Sequence, residues 1–270
     1  MSCSGRPRGV VVSELSAVKA ADSRNAWVSW PHTLTWSLLL IFAVGGPSLV
    51  ITRYIYWEMR PEVFLTNPPS ISGAASRGLA ADFFMWSMFV VTIFICIAWL
   101  LNLRMNMDRL ALAAPHPALR RAAILNYTAC HFGLAAATFL ILLSVYSLAG
   151  GRDMHMLASW GFYVCEVLAL LLDFLFARWM LRIAPGLCGP CERRGVTLRG
   201  ITGASILASS LFFVYLFLNY DAALPVDRYT KQVIYVATEY FLALSFFAYP
   251  MAGFIEMRRH YSEVVPRIRA

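Results

Sequence analysis

Long apolar runs alternate with short polar stretches along this chain. Six runs stand out: roughly Leu34–Thr52, Ala81–Leu103, Ala123–Leu148, Met156–Leu181, Ile201–Asn219 and Gln232–Phe254. Each approaches or exceeds the length of about 20 apolar residues that a helix needs to cross the hydrocarbon core of a bilayer. Backbone polar groups in lipid must be bonded internally, which leaves helices or closed barrels. The barrel signature, segments of about ten residues with alternating polarity, is absent. The pattern therefore predicts an all-α fold, a polytopic bundle of six transmembrane helices. The longest connection, Arg53–Ala80, carries nothing that reads as a separate soluble domain. The expected organisation is a tail over residues 1–33, a six-span domain over 34–256 and a basic tail over 257–270.

Composition agrees with this reading. Hydrophobic residues make up 59% of the 270, and charged residues only 14%, against about 25% charged in soluble domains. Residues 1–30 are polar and mixed, so the first apolar run reads as a signal anchor rather than a cleaved presequence. Lipidation motifs at the two ends are absent. Gly45-Gly46-Pro47 interrupts the first run and predicts a kink.

Charge sets the expected orientation. Of the 23 Lys and Arg residues, sixteen fall in the tails and the second and fourth loops, and six fall in the other loops. The positive-inside rule then places both termini in the cytosol. Topology control and attraction to anionic lipid account for the net charge of +8. No separate basic domain exists to read nucleic acid.

The fourth run carries the unexpected chemistry. A helix turns about 100° per residue, so His155, Glu166 and Asp173 lie within about 20° of one another in sequence order, with Ser159 beside them. A mid-span carboxylate costs about 2.5–3.5 kcal/mol on insertion scales, so this stripe must face the bundle interior. By depth, His131 in the third run is a partner for Asp173, and Glu239 in the last run lies between the levels of His155 and Glu166. These five residues, His131, His155, Glu166, Asp173 and Glu239, form the expected polar site. It reads either as a ligand cavity or as hydrogen-bonding glue between helices. No metal site and no cofactor are expected. Cys188-Gly-Pro-Cys191 lacks the βαβ context of a redox motif and the further ligands of a zinc site. The sequon at Asn126 lies inside a run and is not an acceptor. Nucleophile-elbow, zinc-protease and phosphate-loop motifs are all missing, so no catalytic residue is assigned.

The loop "FLTNPPSISGAASRGLAADFF", residues 64–84, resembles the first outer loop of the Frag/DRAM/Sfk family of six-span membrane proteins. Pro69-Ser70-Ile71-Ser72 matches its Pro-x-Ile-Ser motif. "HMLASWGF" from His155 resembles its entry to the fourth span, and Ala237, Glu239 and Tyr240 resemble the start of its last span. The chain departs from the pattern at Gly73, where many members are acidic, and at Leu79-Ala80, where many have Pro-Glu. The resemblance implies a role in membrane-lipid homeostasis in an endomembrane or the plasma membrane, with the loop wording closest to the branch that remodels the lipid of GPI anchors. A non-catalytic autophagy or lysosome modulator acting through membrane-protein partners, and a small transporter, are the alternatives. Membrane lipids are the expected ligands.

Overall fold

The structure is a computed structural model that describes residues 30–113, 118–220 and 225–253. The tail assignments over 1–29 and 254–270, and the end of the last run at Phe254, lie outside the described residues. Among the described residues there are helices and no strands: α1 (Trp30–Met59), α2 (Pro61–Thr66), α3 (Ile71–Ala74), α4 (Gly78–Leu112), α5 (Leu119–Val145), α6 (Arg152–Ile183), α7 (Pro190–Leu218) and α8 (Arg228–Ala248), with a 3₁₀ turn at Pro185–Leu187. The protein is an all-α polytopic membrane protein. Residues 32–59, 78–112, 119–145, 192–218 and 228–253 form five helices long and apolar enough to cross a membrane. α6, read from the sequence as the fourth span, is not among the five. At about 1.5 Å per residue its 32 residues reach about 48 Å, which is sufficient length.

The helices close a ring. Each of α4 to α8 packs on its predecessor among the long helices, and α8 returns to α1. Small residues make the tight contacts. A Cβ on Gly133 of α5 would lie 2.2 Å from Cε2 of Trp99 on α4, and one on Gly161 of α6 would lie 2.6 Å from the Phe139 ring on α5. Any larger residue at either place would force the facing ring to shift. The outward surface is apolar, with Trp36, Trp86, Leu211 and Leu218 among its exposed residues. Asn106, Asn126, His155, Glu166, Asp173, Arg199 and Glu239 are buried, the arrangement that lipid as solvent favours.

Helix ends explain where the run boundaries differ from the elements. α1 continues through Pro47 to Met59, with the Ser48 hydroxyl donating to the Gly45 carbonyl at 2.8 Å. α7 starts at Pro190, eleven residues before the apolar run, because Pro190 occupies its first turn and Glu192 accepts the Gly189 N–H at 2.9 Å. Pro190 and Cys191 of the Cys-Gly-Pro-Cys stretch therefore begin a helix. Asp227 caps α8 by accepting the Thr230 N–H at 3.0 Å. The Thr230 hydroxyl and N–H hold the Asp227 carboxyl below the usual aspartate range. Asn126 of the sequon is buried, bonded to Asn106 at 2.9 Å and to the Leu103 carbonyl at 3.2 Å.

Candidate functional site

The first site is built where the loop between α2 and α4 folds back over the bundle. Pro68 and Pro69 prevent helix continuation and are themselves buried. Ser70 caps the short α3 by accepting the Gly73 N–H at 3.0 Å. The Ile71 N–H donates to Oε2 of Glu239 on α8 at 2.7 Å. Gln232, two turns earlier on α8, donates to the Pro68 carbonyl at 2.9 Å. Arg53 stacks 4.8 Å from the Phe64 ring centroid and 5.1 Å from that of Tyr240. The loop is thus held to α8 by main-chain groups, which explains why Pro69-Ser70-Ile71-Ser72 is specified as a shape.

Beneath this loop lies a cavity of about 310 Å³. Ser70, Ser72, Arg152, His155, Ser159 and Glu239 supply polar lining, while leucine and aromatic side chains from α4 to α8 form the walls. His155 Nδ1 lies 2.6 Å from the Tyr146 carbonyl. A carbonyl only accepts, so Nδ1 carries the proton, and in the neutral ring Nε2 is the acceptor. Ser210 also lines this cavity, and its hydroxyl is buried without a partner.

The carboxylates of α6 lie further along the bundle, around a second, smaller cavity of about 70 Å³. Asp173 Oδ2 accepts from Arg199 Nη1 at 2.9 Å, and Oδ1 accepts from Asn102 at 3.0 Å. The Tyr249 hydroxyl lies 3.0 Å from the Leu170 carbonyl and 3.2 Å from Asp173 Oδ2. Glu166 lines the same cavity. Phe162, Phe246 and Phe247 line both cavities and stand between them as shared wall.

The expected site residues are therefore divided. His155, Glu166, Asp173 and Glu239 are all buried. His155 and Glu239 line the larger cavity with Ser70, Ile71 and Ser72, whereas Glu166 and Asp173 line the smaller one. His131 belongs to neither. It is exposed on the outer face of α5, and its Nδ1 lies 2.7 Å from the Tyr127 carbonyl of its own helix. The expected contact between His131 and Asp173 is replaced by the Arg199 ion pair. Its position before the fifth apolar run makes Arg199 a fourth-loop charge by sequence, yet α7 buries it to 4% exposure. Its only sequence signal is position, because a helix starting at Pro190 turns a residue near the apolar run inward.

A family model described as Frag1/DRAM/Sfk1/Cwh43P N-terminal domain matches residues 25–260. No curated protein and no solved structure matches the chain.

Proposed function

The chain belongs to the Frag1/DRAM/Sfk1/Cwh43P N-terminal domain family, and from that premise we propose that it acts in membrane-lipid homeostasis, in the manner of GPI-anchor lipid remodelling, by holding a lipid in the cavity under the Pro69–Ser72 loop. The observation that carries this reading is the cavity's division of labour. At about 310 Å³ it falls at the lower end of the range of small-molecule pockets, which run from about 300 to 1,000 Å³. Arg152, an exposed cation at the start of α6, is suited to a phosphate, and His155 one turn further in, whose Nε2 is an acceptor in the neutral ring, to a hydroxyl of the headgroup. Leu140, Leu143, Phe213 and Phe246 are suited to acyl chain. Glu239 is committed to the loop and acts as a positioning residue.

The test compares GPI-anchor lipid composition in cells with the protein, without it, and with a cavity-filling Leu140→Trp variant expressed at the normal level. A changed anchor lipid in the deletion, unrestored by Leu140→Trp, supports the proposal. Identical anchor lipids with and without the protein overturn it. A full rescue by Leu140→Trp moves the site elsewhere.

A further inference from the structure

The second cavity holds an imbalance of charge. Asp173 is fully engaged by Arg199, Asn102 and Tyr249. Glu166, two turns away on the same face of α6, is 7% exposed, and its Oε2 is buried with no hydrogen-bond partner. The polar groups lining the cavity are few. α1 offers only leucine and isoleucine, α4 adds Trp99 and Asn102, α7 adds Arg199, α6 adds Asp173, and the turn after α8 adds Tyr249, while the Cys165 thiol is next to Glu166 in the chain. Among the described lining residues, then, two carboxylates meet one guanidinium. A single carboxylate in such surroundings is sustained only when a counter-charge is taken up.

We infer that Glu166 is the ligand of an exchangeable monovalent cation, H⁺ or Na⁺, bound in the cavity between α1, α4, α6 and α8. The space is adequate. About 70 Å³ accommodates about two water-sized groups at about 30 Å³ each. Asn102 donates its amide N–H to Asp173, which leaves its carbonyl oxygen available as a second neutral ligand. Water completes a hydrated Na⁺, and an H⁺ on Glu166 would instead be donated to that water or to the Asn102 oxygen. Either ion balances the two carboxylates and one guanidinium among the described lining residues. The inference is independent of the lipid reading, since it concerns a different cavity.

The test uses the purified full chain in lipid nanodiscs. Thermal unfolding is followed in NaCl and in N-methylglucamine chloride at equal ionic strength, at pH 6 and pH 8. For Na⁺, its addition raises the midpoint by about 2–4 °C at a few-fold excess over Kd. For H⁺, lowering the pH produces the rise and Na⁺ has no effect. Glu166→Gln, which keeps the shape and removes the charge, abolishes the Na⁺ dependence, or reduces the pH dependence to what the other buried ionisable groups, Glu239 and His155, contribute. Wild-type protein indifferent to both ions overturns the site, as does a Glu166→Gln variant that keeps the same dependence. A second measurement needs no variant. Dicyclohexylcarbodiimide should modify Glu166 in the wild-type chain, read by peptide mass spectrometry. Labelling should fall at least fivefold on adding Na⁺ or on raising the pH. Labelling of Glu166 unchanged by either, or no labelling, counts against the inference.

Discussion

The Glu239 carboxylate accepts the Ile71 main-chain N–H at 2.7 Å across 168 residues of sequence. A hydrogen bond to a charged group contributes about 1.5–3 kcal/mol, and a buried donor left without an acceptor costs a comparable amount. Glu239→Ala should therefore free the loop over the larger cavity. Hydrogen exchange at residues 70–75 is expected to rise sharply in that variant. Glu239→Gln keeps an acceptor oxygen and should show a smaller rise. Unchanged loop exchange in Glu239→Ala would show that the carboxylate does not hold the loop.

The Arg199–Asp173 ion pair makes a second expectation. Removing one member of a buried pair leaves an uncompensated charge and costs about 3–5 kcal/mol. Arg199→Met alone should be severely destabilised, because Asp173 keeps its charge among apolar walls. Asp173→Asn alone removes the carboxylate that Arg199 bonds at 2.9 Å and should be destabilised as well, but less, because Glu166 in the same cavity still carries a carboxyl group. The double variant removes both charges and should be more stable than the sum of the single effects implies. Denaturant unfolding of the four proteins closes this cycle, and strictly additive effects would show that the two side chains do not interact.

These two relationships mark where the sequence is readable and where it is not. The α6 stripe was legible because helical periodicity alone puts His155, Glu166 and Asp173 on one face, and lipid forces that face inward. The loop and Glu239 were both legible as resemblances, but their direct bond was not, since no local pattern links residues 71 and 239. Arg199 was hidden because a charge bordering an apolar run reads as loop until the helix start is known. His131 misled for a related reason. A histidine within an apolar run looks like an interior residue, yet its bond to the Tyr127 carbonyl lets it sit on the outer face. The separation into two cavities depends on how Phe162, Phe246 and Phe247 pack, which the periodicity of a single helix does not encode.

Close packing offers a third test. Gly133 lies against Trp99, where an added Cβ would sit 2.2 Å from the indole. The indole is large and wedged between α4 and α5, so Gly133→Ala should force the helices apart. Overpacking of this kind costs about 1–3 kcal/mol. Trimming the indole in a Gly133→Ala/Trp99→Leu variant should recover part of the loss. The unfolding midpoint of both variants checks this, and a Gly133→Ala protein as stable as wild type would mean that the contact is loose.

The membrane path of α6 is open to direct mapping. If it crosses the bilayer, the segments 147–151 and 185–189 lie on opposite faces. The basic residues then assign 147–151 to the outer face, because the arginines concentrate toward 185–199 and 104–121. N-glycosylation occurs only on the lumenal face, so an engineered acceptor site reports the side. A sequon inserted in 147–151, with a spacer to lift it from the headgroups, is expected to be glycosylated. One inserted in 185–189 is expected to stay unmodified. Equal modification of both would mean that α6 does not cross, which leaves five spans and puts the two chain ends on opposite faces. Modification at 185–189 alone would keep six spans and invert the orientation. In either failure the cavity under the Pro69–Ser72 loop would still exist, but in the inverted case it would open toward the cytosol, which would count against the proposed GPI-anchor lipid as its ligand, because that lipid lies on the lumenal face.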